Sequence, residues 1–197
     1  MKRILVVVDM QNDFITGSLG SEYAEKVVLP RVTEKVIKHG DYVVFTMDTH
    51  WKNSTLGINY LNTFEGKNLP VEHCIVGTEG YDVAQPLKNW YVSTGWKHKE
   101  LVHKETFGSK DLPKVVKKFI GKTPIEDVEI EIVGLCTDIC VVSNALILRA
   151  YFPNVEIICD ASCCGGTSKE AHDAALKVME SCQIGVINTC PDVLNER

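Results

Sequence analysis

Three side chains have the chemistry needed to open a carbonyl bond: the thiol of Cys140, the carboxylate of Asp9 and the ammonium group of Lys104. Cys140 comes a few residues after the apolar run Val128 to Gly134 and sits where helical spacing begins. Unpaired N–H groups and the helix dipole in such a first turn favour a thiolate. A nearby carboxylate can take the thiol proton and later return it to a leaving amine. An ammonium group lowers the energy of both anions, although burial opposes its own charge. Each residue also has an ordinary reading: Cys140 as a small buried hydrophobe, Asp9 as a cap, Lys104 as a solvated surface charge. Cys136, earlier in the same turn, competes for the nucleophile's role, but a tight strand-to-helix turn suits its backbone N–H to holding an oxyanion.

A second set of residues has the donors of a metal site. Asp48-Thr49-His50 presents a carboxylate and an imidazole on alternate positions just past a strand, and the loop after it adds Glu65 and His73. An Asp, His, Glu, His set with positions left for water or substrate suits a divalent ion, and its mixed donors leave zinc, iron and manganese open. His39, His98, His103 and His172 are given no metal role.

These residues act together only if the fold brings them together. Ile4 to Asp9 and Tyr42 to Asp48 are nearly continuous β-branched or apolar runs, the pattern of parallel strands buried on both faces, and each ends in a carboxylate. Val128 to Gly134 and Asn154 to Asp160 read as further strands, Lys99 to Lys104 as a weaker one, and Ile184 to Ile187 as a short closing one. Helical spacing runs from Glu22 to Lys38, with Pro30 confining the regular helix mainly to the residues after it and His39-Gly40 as its end. Asp111 is expected to cap or open a helix with Pro113 in its first turn, Asp138 to Ala150 forms the helix after the Cys140 turn, and Ser168 starts one reaching Cys182.

Six strands alternating with helices predict a three-layer α/β/α fold with a doubly wound, mostly parallel sheet. The chain is expected to form one domain over residues 1–197, with a loop at about 49–80 that wraps over the site. Ligands in such sheets bind beyond the carboxyl ends of the strands, where Asp9, Asp48, Lys104 and the turn before Cys140 should converge.

Composition narrows the partners. Twenty-one basic side chains against 26 acidic ones give a net charge of -5, with no basic block, so nucleic acid is not an expected partner. Apolar runs are strand-sized and the first begins almost at Met1, so neither a membrane span nor a signal peptide is expected, and a cytoplasmic location is. The 8 cysteines, at 74, 136, 140, 159, 163, 164, 182 and 190, read as free thiols, because a core of this size needs no disulfides.

The segment Val8-Asp9-Met10-Gln11-Asn12-Asp13-Phe14 resembles the opening motif of the isochorismatase-like cysteine hydrolases, a superfamily that includes the nicotinamidases. The resemblance continues through Asp48-Thr49-His50, Leu69 to His73, Gly77 to Gly80, Lys104 to Phe107, Gly134 to Val141 and Ala161 to Leu176, and so covers most of the chain. It implies a catalytic triad of Asp9, Lys104 and Cys140, and metal ligands Asp48, His50 and His73 with Glu65 as the fourth. It also implies a non-proline cis peptide at Leu135-Cys136, with the N–H groups of Cys136 and Cys140 forming the oxyanion hole. The implied substrate pocket is made by Phe14, Leu69, Pro70, Phe107 and Ile139.

The activity implied is hydrolysis of nicotinamide to nicotinate and ammonia through a Cys140 thioester, aided by a divalent metal, zinc first, with iron or manganese as alternatives. The partners implied are a small-molecule amide and further copies of the chain in a dimer or tetramer. Two other readings stand beside it: a related cysteine amidase acting on another small amide or ureido compound, and a catalytically inactive protein that binds a small ligand or a partner.

Overall fold

The computed structural model describes residues 1–39, 42–52, 57–93, 95 and 98–189. Cys190, and Gly40 of the expected helix end, lie outside them. The strands are β1 (Lys2–Val8), β2 (Val43–Asp48), β3 (Lys99–Lys104), β4 (Val128–Leu135), β5 (Glu156–Gly165) and β6 (Gly185–Ile187). The helices are α1 (Asn12–Ile15), α2 (Leu29–His39), α3 (Phe64–Asn68), α4 (Gln85–Ser93), α5 (Leu112–Ile120), α6 (Val142–Tyr151) and α7 (Lys169–Ser181). The sheet order is β3-β2-β1-β4-β5-β6 and every pairing is parallel.

Period-two geometry sends alternate residues of β1 to opposite faces, and both faces are covered. Ile4, Val6 and Val8 pack with Leu112 and Val116 of α5, Leu148 of α6 and Met179 of α7. Leu5 and Val7 pack instead with Val32 and Val36 of α2 and Leu87 of α4. The apolar run of β1 is therefore buried on both sides, which is why it shows no alternation of polarity.

The regular helix α2 lies mainly after Pro30, as expected, and a wide turn over Ala24–Val28, closed by Leu29 N–H to Ala24 O, leads directly into it. Widening the turn relieves the crowding between a proline ring and the preceding carbonyls. Two other local expectations are revised. Asp111 occupies the cap position of α5, but its side chain caps nothing. The Ser109 hydroxyl accepts from the Asp111 and Leu112 N–H groups at 3.2 and 3.1 Å, while Asp111 pairs with Lys114. Strand β5 continues past Asp160 to Gly165, resuming its pairing with β4 after an irregularity between Ile132 and Gly134. Cys163 and Cys164 alternate between the two faces of this extension, filling core positions as small apolar groups.

Gly134 is where the sheet approaches the site most tightly. Its φ is +123°, and a Cβ there would lie 2.1 Å from the Val8 carbonyl oxygen. Gly134→Ala is expected to cost roughly 3 kcal/mol or more through backbone strain and the displaced β1 end. Urea unfolding measures this directly, and a loss under about 1 kcal/mol would show that the strands absorb the side chain.

Candidate active site

The strand order reverses between β1 and β4, and in open α/β sheets the crevice forms beyond the carboxyl ends at that point. Asp9 follows β1, Asp48 ends β2, Lys104 ends β3, and Cys136 to Cys140 form the turn after β4. All four expected contributors converge there. Asp9 takes a left-handed backbone conformation, φ +47°, that leads the chain out of β1.

Lys104 Nζ lies 2.6 Å from Asp9 Oδ2, 3.1 Å from Asp48 Oδ1 and 3.5 Å from Cys140 Sγ. Asp9, Asp48, Lys104 and Cys140 are all buried. Thr46 on β2 fixes the carboxylate, because its hydroxyl donates to Asp9 Oδ1 at 2.7 Å while accepting from the Asp9 N–H at 3.2 Å. Burial pushes the Asp9 carboxyl up, Asp48 adds to this, and Lys104 opposes it without winning. Burial likewise disfavours charge on Lys104, but there the attraction of Asp9, Cys140 and Asp48 prevails and its pKa is raised. The Cys140 thiol is pushed well up by burial and by the Asp9 carboxylate. Burial thus works against the thiolate that the helix-dipole argument favours, and it raises the basicity of the carboxyl group beside the sulfur.

The peptide Leu135-Cys136 is cis, as the resemblance implies. The next turn, Thr137–Val141, is a wide π turn leading into α6, with Ile139 and Val141 N–H groups both donating to Cys136 O. Three further bonds tie it to the β5–α7 segment. Thr137 Oγ1 lies 2.8 Å from His172 Nδ1, and Asp138 accepts from the Thr167 N–H and hydroxyl at 2.8 and 2.6 Å.

Beside this cluster stand Asp48, His50, Glu65 and His73, with one ligand atom of each within 4.8 Å of the others. His50 Nε2 and His73 Nε2 lie 3.0 and 3.3 Å from Asp48 Oδ2, and 3.6 and 3.7 Å from Glu65 Oε1. His73 Nδ1 faces the Val71 carbonyl at 2.7 Å, so it must donate there, which leaves Nε2 pointing inward as a ligand. Glu65 Oε1 is buried with no hydrogen-bond partner among the described residues. An orphaned carboxylate oxygen facing two imidazoles and a second carboxylate fits a divalent cation, which would neutralise the excess negative charge.

A cavity of about 270 Å³ joins the two clusters, reaching Cys140 on one side and Asp48, Glu65 and His73 on the other. Phe14, Leu69, Phe107 and Ile139 line it, as do Leu135 and Cys136. Pro70 is exposed and is not among the lining residues. The Val71 N–H bonds back to Leu69 O, a tight turn that leaves the proline outside.

Several supporting residues escape sequence reasoning because they serve other side chains or the backbone. Gln11 clamps the end of β2, accepting from the Asp48 N–H at 2.7 Å and donating to the Asp48 and Tyr81 carbonyls at 2.9 and 2.8 Å. Asp13 Oδ2 accepts from the Cys74 N–H at 2.7 Å and so anchors the loop beside His73. Both lie within the motif that begins at Val8, which is the available signal. Tyr60, packed on His50 and His73 at ring separations of 4.5 and 5.0 Å, has no signal in a loop without periodicity.

The sequence profile of the Isochorismatase domain family matches residues 3–190. An isochorismatase family protein, PncA, from Bacillus subtilis (strain 168) is 30% identical over 188 residues, spanning 89% of this chain and 93% of that protein. A nicotinamidase from Schizosaccharomyces pombe is 27% identical, spanning 96% and 94%. The crystal structure of nicotinamidase PncA from Bacillus subtilis superposes with a TM-score of 0.75 at 26% identity, covering 95% of this chain and all of that one. Fold and site define a cysteine-hydrolase architecture with an adjoining metal-binding cluster. The chain belongs to the isochorismatase family and is a hydrolase of that family. Among the described residues, no helix is long and apolar enough to cross a membrane.

Proposed function

We propose that the protein is a nicotinamidase-type cysteine amidohydrolase that converts nicotinamide to nicotinate and ammonia. The observation that carries this reading is the buried Asp9, Lys104 and Cys140 cluster, which opens onto an apolar cavity bounded on its other side by metal ligands. A flat ring bound in the cavity would lie against Phe14 and Leu69, with its carboxamide presented to sulfur.

Asp9 takes the Cys140 proton as sulfur attacks the amide carbonyl, and the new oxyanion is held by the backbone N–H groups of Cys136 and Cys140. Protonated Asp9 gives that proton to the departing nitrogen, and ammonia leaves as the C–N bond breaks. A thioester remains. Asp9, again a carboxylate, takes a proton from the water that attacks it. The C–S bond then breaks, sulfur regains its proton from Asp9, and the acid is released. Lys104 stays charged throughout and stabilises whichever partner is anionic. Asp48, His50, Glu65 and His73 would hold a divalent metal, zinc first with iron or manganese as alternatives, which when bound supplies an electrophilic centre for the pyridine nitrogen.

Ammonia release from nicotinamide by the metal-loaded protein tests the reading. Turnover of a different small amide or ureido compound, with none of nicotinamide, moves the protein to a related amidase. No turnover across a broad panel leaves a binding protein. His73→Ala is expected to lower metal affinity by about 10–100-fold or more and to raise the KM for nicotinamide. Metal analysis after dialysis, paired with kinetics, checks this, and unchanged metal content would remove His73 from the ligand set.

A further inference from the structure

A second crevice, about 420 Å³, lies outside the reaction cavity between α3 and the segment after β3. Glu65, Leu69 and Phe107 face both spaces. The two are therefore adjoining compartments divided by side chains. Phe64 is 86% exposed on the rim of the outer one and Phe107 is 42% exposed between them. Large aromatic groups left in water beside a ligand cavity mark a surface that something covers. Phe64 is held in place from both ends of its short helix. The Thr63 hydroxyl caps the Gly66 N–H at 2.9 Å, and the Asn68 side chain donates to Phe64 O at 2.7 Å.

The charge of the crevice narrows its occupant. Glu65 and Glu105 line it, and among the described residues no Lys, Arg or His does. Glu65 belongs to the metal cluster, whereas Glu105 is steadied by the Trp51 indole N–H at 3.2 Å and faces the crevice with no cation among the described lining residues. An anionic group is repelled, and an apolar group that is neutral or cationic is accepted.

We infer that this crevice is the distal half of the substrate site, and that it selects aryl carboxamides carrying an apolar, neutral or cationic substituent. The inference rests on the amidase reading above. The carboxamide-bearing ring occupies the inner cavity and the substituent passes Leu69 to pack against Phe64 and Phe107.

Calorimetry on zinc-loaded Cys140→Ser protein, which binds without turnover, tests it. The ligands are nicotinamide, nicotinamides with a phenyl group at each free ring carbon, and the carboxyphenyl counterparts. At least one phenyl compound is expected to bind about tenfold more tightly than nicotinamide, and its carboxyphenyl counterpart to lose that gain. Adding Phe64→Ala should remove most of the tenfold advantage and leave the nicotinamide Kd within about twofold. The inference is overturned if no phenyl compound gains affinity, or if Phe64→Ala weakens all ligands equally. It is also overturned if Phe64→Ala leaves amide binding alone and instead splits a dimer in sedimentation, which would assign the crevice to a second copy of the chain. Wild-type kinetics separate the two readings. Ammonia release from nicotinamide with no phenyl preference defeats this inference alone, and a phenyl preference in binding with no ammonia release from any amide defeats the amidase reading alone.

Discussion

Cys140→Ser is expected to reduce amide turnover by on the order of 10⁴-fold or more while leaving the fold intact. Serine is nearly the size of cysteine, and its hydroxyl can accept from Lys104 Nζ, which lies 3.5 Å from the sulfur. Packing is therefore preserved. A hydroxyl is a far weaker acid than a thiol, so Asp9 cannot draw its proton off as the carbonyl approaches. Steady-state ammonia release, with mass spectrometry confirming the substitution and thermal melts confirming the fold, measures the effect. A rate within about tenfold of wild type would reject the thioester route. It would favour hydrolysis at the metal cluster, with Cys140 as a packing residue.

Lys104→Met is expected to damage stability as well as activity. The lysine places one buried positive charge between Asp9 and Asp48, both of which are buried. Methionine fills similar space but leaves the Asp9 carboxylate without its counter-ion. Breaking a buried ion pair from one side costs about 3–5 kcal/mol. The deficit should depend on pH in a defined direction. Burial already raises the Asp9 carboxyl above its unfolded value, and loss of the lysine raises it further. The folded variant then holds a proton that the unfolded chain releases. Its stability is best at acid pH and falls as pH rises through the interval between the unfolded and folded pKa values. Urea unfolding of the metal-free variant across that range checks both magnitude and sign. Equal midpoints for variant and wild type at neutral pH would mean that Asp9 is already neutral in the resting enzyme.

The two predictions differ in what the sequence can say about them. The importance of Cys140 is legible because a strand, a sharp turn and a helix succeed one another in Val128 to Ala150, and that order alone places the residue at a carboxyl-end crevice. Lys104 is weaker on its own terms. Its strand, Lys99–Lys104, is polar at most positions, and only its register beside β2, with Asp48 opposite Lys104, turns an apparent surface lysine into a buried one. Local pattern leaves out what opposes a thiolate at Cys140. The helix dipole acts along the chain and can be read from it, but burial and the Asp9 carboxylate, contributed by a strand more than a hundred residues earlier, act through space.

The metal cluster shows the same division. Asp48 and His50 are near neighbours in the chain and are legible together. Glu65 and His73 lie in a loop without periodicity, and their convergence depends on α3, on the Tyr60 ring packed beneath the imidazoles and on Asp13 gripping the Cys74 N–H. The family resemblance places Leu69 and Pro70 in the pocket, yet one backbone turn separates the two and only Leu69 lines it.

The sequence by itself determined the three-layer architecture, the strands that end at the site and the residue types available for acyl chemistry, because hydrophobic periodicity and strand-end position are properties of the chain. Only the tertiary structure decided which charges are buried together, what opposes a thiolate at Cys140 and that the reaction cavity and the outer crevice share Leu69 as a wall. Those depend on distances between segments far apart in the chain, and electrostatic energy in a dry interior follows distance through space.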